Sequence, residues 1–269
     1  GEPTLLWERG GCTHWCMTGW YASPAVADFD GNGTMEIIYA SYKVWMLDAE
    51  TGTEYWSVYT GHDVSYTGTD YVGRTWSSPV VGDLDGDGIL DIVTAHSNGW
   101  ICAYDLLGNF KPGWPVQCSP SSELRTLAAY DFESDGSLEI VVASTSSGDD
   151  EEWYVYEHNG AIRTGWPQHS GDCYAAGCFN QNVAVADIDQ DGLAEIIGPN
   201  DTHYLCAFED NGNCIPGHSM YEGKKWGQVG VWVDLVAELR GWGYCGTEHR
   251  PNFCHSPTVI ADMNGDGSL

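Results

Sequence analysis

Val81-Gly82-Asp83-Leu84-Asp85-Gly86-Asp87-Gly88-Ile89-Leu90-Asp91-Ile92-Val93 decides the reading of this chain, because it is one of five copies of a single phrase. Small apolar residues lead into Asp-h-Asp-x-Asp-Gly-x-x-Asp/Glu (h is apolar), and a β-branched run follows. The phrase returns over 26–38, 129–142, 185–197 and 260–269, with its first Asp at 28, 83, 131, 187 and 262. Self-similarity at such a spacing names a repeat architecture before any single residue is argued.

Each copy also carries chemistry. Calcium takes six to eight oxygens from carboxylates, amides, backbone carbonyls and water. Asp83, Asp85 and Asp87 alternate along a tight loop and can turn inward together. Gly88 follows where the backbone must bend and a Cβ would obstruct. The carbonyl of Ile89 is a fourth expected ligand, and Asp91 closes the cage from the next strand. The equivalent sets are Asp28, Asp30, Asn32, Thr34 and Glu36; Asp131, Glu133, Asp135, Ser137 and Glu139; and Asp187, Asp189, Asp191, Leu193 and Glu195. The fifth, Asp262, Asn264 and Asp266, runs out of sequence before a closing acid. The plainer alternative is a set of acidic turns that hold no ion, and the third loop, with Glu133 for Asp and Ser134 in the turn, is the one it suits best.

An EF-hand begins in the same way but needs a Glu at loop position 12 and a helix on each side. Position 12 is Tyr39 in the first loop and Thr94 in the second. Ile37-Ile38-Tyr39-Ala40 and Ile92-Val93-Thr94-Ala95 favour strands. These loops therefore read as β-hairpin turns. Further strands and Gly-centred turns follow each one, at Trp100 to Asp105 with Gly108-Asn109 and at Trp153 to Glu157 with Asn159-Gly160, and then Gly113-Trp114-Pro115 or Gly165-Trp166-Pro167. The fourth unit degrades to Pro216-Gly217-His218.

This pattern resembles the FG-GAP/VCBS repeat, the calcium-binding blade of integrin α-type propellers, over nearly the whole chain. The resemblance implies an all-β fold, a β-propeller of four-stranded antiparallel blades with a cation in the turn between the first two strands of each blade. One domain is expected over 1–269, with blades near 24–60, 79–118, 127–169, 183–220 and 257–269 and an insertion at 221–256. Four to five structural Ca²⁺ ions are implied.

Net charge is −29 with only ten Lys and Arg, and 17 of the 39 acids lie in the five loops. Five divalent ions would leave about −19, so removing them exposes strong self-repulsion. Nucleic acid is excluded as a partner, since backbone binding needs stripes of Lys and Arg. No run is apolar enough for membrane insertion. Ten cysteines in close pairs suggest an oxidising, extracellular or cell-surface setting and five local disulfides: Cys12/Cys16, Cys102/Cys118, Cys173/Cys178, Cys206/Cys214 and Cys245/Cys254. The rival for the last pair is zinc with His249 and His255, at a spacing that fits no standard pattern. Asn32 and Asn200 both stand in glycosylation sequons, but Asn32 is needed as a ligand, which leaves Asn200 as the candidate.

Residues 4–8 resemble the last strand of a blade, so the sequence opens on an outer strand and stops inside a fifth unit. A ring of sheets must close or leave open edges. Either the chain continues, or another subunit supplies strands; the second route, repeated in one direction, gives a filament or other homopolymer.

Function must come from sites. The first expectation is a non-enzymatic binding, adhesion or structural module whose loops recognise protein or carbohydrate. Trp226, Trp232, Trp242 and Tyr244 in the insertion form the candidate partner surface, against the alternative that such aromatics only pack loops together. The second is a calcium-dependent polysaccharide lyase, since some such lyases carry similar repeats. His62, Arg74, Lys224, Lys225 and His249 could serve one, but their spacing forms no constellation, and no residue is assigned as catalytic.

Overall fold

The computed structural model describes residues 4–8, 21–145, 151–168, 183–199, 205–216, 219 and 258–269. Within them the chain is all-β, built from four antiparallel sheets in chain order. Sheet 1 holds β1 (Ala25–Ala27), β2 (Glu36–Ala40), β3 (Lys43–Asp48) and β4 (Glu54–Tyr59). Sheet 2 holds β5 (Val80–Gly82), β6 (Asp91–Ala95), β7 (Trp100–Tyr104) and β8 (Val116–Gln117). Sheet 3 holds β9 (Leu124–Tyr130), β10 (Glu139–Ser144) and β11 (Trp153–Tyr156), and sheet 4 holds β12 (Ala184–Ala186), β13 (Glu195–Pro199) and β14 (Leu205–Phe208). Isolated bridges Tyr156↔Ile162 and Phe208↔Cys214 continue sheets 3 and 4 toward a fourth strand. The acidic loops are the turns between the first two strands of each sheet, as the sequence suggests.

Successive side chains on a strand face opposite ways, and here both faces are buried. On β10, Ile140 and Val142 enter the core shared with sheet 2, while Val141 and Ala143 enter the core shared with sheet 4. On β7, Ile101 and Ala103 face sheet 3, while Cys102 and Tyr104 face sheet 1. This is why the middle strands read as continuous Val/Ile runs without alternation. Each buried Ile or Val contributes about 1.5–3 kcal/mol, so the three inter-sheet cores hold the stack together.

Tryptophan latches the sheets. The indole N–H of Trp56 donates to Leu106 O, that of Trp114 to His158 O and that of Trp166 to Asp210 O, each at 2.9 Å. Each acceptor lies in the hairpin turn of the following sheet. Gly113 (φ 89°) and Gly165 (φ 94°) precede two of these tryptophans, and a Cβ on either would collide with the carbonyl of Asn159 or Asn211. Trp7 donates to Ala49 O at 3.0 Å in the same manner. Residues 4–8 thus behave toward sheet 1 as the end of one sheet behaves toward the next.

One expected disulfide is corrected. The register pairs Ile101 with Val116, which puts Cys102 and Cys118 on opposite faces of sheet 2. Cys102 is buried toward sheet 1, Cys118 packs toward sheet 3, and both thiols are free and pushed up to about 12 by burial. Hairpin flanking alone does not make a bridge; parity across the register decides it. Cys206 and Cys214 share one face and one core. Cys12, Cys16, Cys173, Cys178, Cys245, Cys254, Asn200, Lys224, Lys225, Trp226, Trp232, Trp242, Tyr244, His249 and His255 lie outside the described residues.

Candidate metal centres

Each acidic loop builds itself from its own hydrogen bonds. The sixth residue donates its N–H to the first Asp: Gly33 to Asp28, Gly88 to Asp83 and Gly136 to Asp131 at 2.8 Å, Gly192 to Asp187 at 3.0 Å and Gly267 to Asp262 at 2.7 Å. The seventh residue donates to the fifth: Thr34 to Asn32, Ile89 to Asp87, Ser137 to Asp135, Leu193 to Asp191 and Ser268 to Asp266, all at 2.8 Å. The fourth residue is left-handed in every loop, including Ser134 (φ 56°) and Gln190 (φ 64°), where no glycine relieves the strain. Such a residue costs about 1–2 kcal/mol, so the loop's shape is enforced by its carboxylate bonds and not by glycine alone.

The closing acid does two jobs. One oxygen accepts the N–H of the loop's second residue: Glu36 from Phe29 (2.8 Å), Asp91 from Leu84 (3.2 Å), Glu139 from Phe132 (3.0 Å) and Glu195 from Ile188 (2.7 Å). The rest of the carboxylate turns into the cage. All four acids are at most 2% exposed. Carboxylate oxygens converge within 4.8 Å of one another in Asp28/Asp30/Glu36, Asp83/Asp85/Asp91, Glu133/Glu139/Glu157 and Asp187/Asp189/Glu195.

This geometry fits a hard cation. Asp28 Oδ1, Asp91 Oδ1 and Glu195 Oε1 are buried with no hydrogen-bond partner. A buried unpaired carboxylate oxygen is costly, and an oxygen-seeking divalent ion would satisfy it. Burial raises the pKa of Asp91 even though Lys111 opposes the shift, and burial raises that of Glu195. Glu139 is raised to about 7 by burial and by the charges of Glu133 and Glu157. The cages concentrate negative charge around their closing acids.

The first and third positions and the closing acid of loops 1, 2 and 4 come together as the sequence suggests. The fifth-position acids Asp87 and Asp191 stand outside the convergent trios and hold the loop backbone. In loop 3, Asp131 and Asp135 are likewise loop-forming, and Glu157, from just beyond β11, joins Glu133 and Glu139 instead. Two basic residues also enter the cages. Lys111 Nζ lies 2.7 Å from Asp85 and 3.0 Å from Asp91. Arg163 lies 2.5 Å from Glu133 and 3.4 Å from both Glu157 and Asp210. Reading the acidic phrases alone passes over these residues. The available signal was positional: each stands two residues before a Gly-Trp-Pro, in a chain of few bases. The fifth loop shows the same backbone, and Gln190 Nε2 donates to Gly267 O at 2.6 Å, joining loops 4 and 5.

The described candidates for catalysis are packed against aromatic rings. The His62 ring stacks on Tyr66 at 3.6 Å between centroids. Arg74 sits over Tyr42 (4.9 Å) and Trp76 (5.3 Å), and Arg125 lies over Trp76 at 4.2 Å. Among the described residues, no helix is long and apolar enough to cross a membrane.

The sequence matches the FG-GAP-like repeat family over residues 83–142 and 131–198. Among solved structures, the C-terminal domain of PilY1 from Pseudomonas aeruginosa is similar at 14% identity and TM-score 0.51, covering 71% of this chain and 49% of that one. The exotype rhamnogalacturonan lyase YesX is similar at 18% identity and TM-score 0.48, covering 71% of this chain and 40% of that one. A Bacillus licheniformis rhamnogalacturonan lyase is similar at 18% identity and TM-score 0.47, covering 71% and 41%. The chain spans less than half the length of each, and likeness at these identities concerns the fold alone, an all-β, β-propeller-like architecture. No curated protein matches the sequence.

Proposed function

We propose, from the premise that residues 83–198 of this chain are FG-GAP-like repeats, that it is a calcium-stabilised β-propeller module with a non-enzymatic role in extracellular binding, adhesion or assembly. One observation carries the reading: trios of carboxylates converge in the turns of all four sheets, and in three of them a buried oxygen has no partner. Calcium suits these cages better than magnesium, which keeps a small octahedral shell rich in water. Asp28, Asp30 and Glu36, with Asn32 beside them, and Asp187, Asp189 and Glu195 would hold the ion. It would supply charge neutralisation and a rigid turn. The ion is structural on this reading, because the closing acids are at most 2% exposed and leave little room for a substrate.

Recognition would fall to the opposite end, where the connection over 60–78 presents Tyr71, half exposed, beside Tyr42 and Tyr59. Protein or carbohydrate is the partner class that such a surface suits. Assembly into a filament through added strands or loops is the alternative use of the same module. A calcium-dependent polysaccharide lyase is the enzymatic alternative. Incubating the protein with calcium and a panel of acidic polysaccharides, and following unsaturated products by absorbance, separates these readings. Binding without product supports the module, whereas steady product release overturns it.

A further inference from the structure

Among the described residues, sheets 2 and 3 place a basic side chain against their cages, and sheets 1 and 4 do not. Lys111, Arg163 and Ile215 occupy one structural position, since each donates its backbone N–H to the equivalent residue of the third strand: Ala103 (2.9 Å), Val155 (2.9 Å) and Ala207 (3.0 Å). The register of sheet 1 gives the same place to Tyr55, which follows Glu54, the partner of Leu47. The Tyr55 hydroxyl turns away to donate to Asp48 Oδ2 at 3.2 Å. The space beside it is a cavity of about 340 Å³ lined by Asp30, Glu36, Tyr55 and Trp56. The basic groups are built in and not draped over the surface: the Lys111 side chain is 11% exposed and that of Arg163 9%.

We infer that Lys111 and Arg163 are resident counter-ions that divide the cages into two kinds, with sheets 1 and 4 taking a divalent cation tightly and sheets 2 and 3 taking it weakly. The inference rests on the calcium reading of the loops. A dication entering cage 2 must displace an ammonium from Asp85 and Asp91 and then sit beside a partly buried like charge, a severe penalty where screening is poor. Cage 3 is the more fully compensated. Arg163 spreads its donors over Glu133, Glu157 and Asp210, and no oxygen of that cage is among the buried atoms without a partner. Cage 2 keeps Asp91 Oδ1 unpartnered, so it stands between. Cages 1 and 4 each keep an orphan oxygen, on Asp28 and Glu195, and among the described residues no Lys or Arg lies within ion-pair distance of their trios. The order of affinity is therefore cages 1 and 4, then 2, then 3.

The sixth-position glycines report each cage separately, because each amide donates to the first Asp of its own loop. Calcium is titrated into the metal-free full chain while the amide signals of Gly33, Gly88, Gly136 and Gly192 are followed by NMR. Gly33 and Gly192 should shift first, with Gly88 and Gly136 following at calcium about a hundredfold higher or more. Lys111→Met should bring Gly88 into the early group, and Arg163→Met should do so for Gly136. The reciprocal variants Tyr55→Lys and Ile215→Lys should weaken cages 1 and 4 about tenfold or more and keep the question open if a methionine variant fails to fold. If all four glycines shift at one calcium concentration and none of the variants alters the order, the counter-ion inference is wrong while the calcium reading stands. If no glycine responds in any variant, the calcium reading itself fails.

Discussion

The two ends of these sheets handle buried charge in opposite ways. At the acidic end, Glu36, Asp91, Glu139 and Glu195 are sunk to 2% exposure or less among other carboxylates. At the other end, His96 is fully buried and closed on both nitrogens by neutral hydroxyls, with Thr75 Oγ1 at 2.8 Å from Nδ1 and Thr94 Oγ1 at 2.9 Å from Nε2. Cations there, Lys43, Arg74 and Arg125, lie over aromatic faces. That end surrounds its imidazole and its cations with the chain's own hydroxyls and aromatic rings. The other is met by Lys111 and Arg163 in two sheets, and on the proposed reading by a divalent ion in the other two.

The comparison breaks first under chelation. Ligand binding stabilises by about 2.7 kcal/mol per site at a hundredfold excess over Kd. Two tight cages then correspond to a fall in Tm on the order of ten degrees when EDTA replaces calcium. Calorimetry should show this fall at any point where net charge stays strongly negative, and an unchanged melting curve would remove the distinction between the ends. The next largest effect belongs to neither end. Trp166→Ala deletes a latch and core contacts together and should cost about 3–5 kcal/mol with or without calcium. Trp166→Phe, losing mainly the N–H to Asp210 O, should cost about 1 kcal/mol. A latch variant that is harmless in EDTA would mean the sheets are held by the ions and not by their cores.

Much of this architecture was legible because the repeat ties strand, turn and carboxylate to fixed offsets. Asp28, Asp83, Asp131 and Asp187 with their closing acids located the turns, and the Val/Ile runs located the strands beside them. What escaped was set by contacts between units distant in sequence. Glu157 and Arg163 reach their loop from beyond the third strand, a relation that no local motif encodes. The separation of Cys102 from Cys118 depended on a register of one residue in sheet 2, and slipping by one residue moves a side chain to the other face. Spacing along the chain could not supply that parity.

Smaller effects sharpen the contrast. Glu195→Gln should change sign with conditions. In calcium it removes a ligand and destabilises; in EDTA it removes a buried unpaired charge and stabilises, each by about 1–3 kcal/mol. Denaturant titrations in both buffers test this, and destabilisation of equal size in both would make Glu195 a packing residue only. At the neutral end, burial depresses the pKa of His96 from 6.5 to about 3. The unfolded chain therefore binds a proton that the folded chain refuses, and the contribution of His96 is present above pH 6.5 and lost as pH falls from there toward about 3. Its slope approaches about 1.4 kcal/mol per pH unit. Comparing wild type with His96→Gln between pH 6.5 and 5 isolates it; identical slopes would show that the site admits a charged imidazole.

The most direct measurement is anomalous diffraction from crystals of the full chain grown with calcium. The account requires a peak about 2.3–2.6 Å from the carboxylates of Asp28, Asp30 and Glu36 and another among Asp187, Asp189 and Glu195. Maps with no peak at either place, in crystals where the four sheets are otherwise intact, would contradict it.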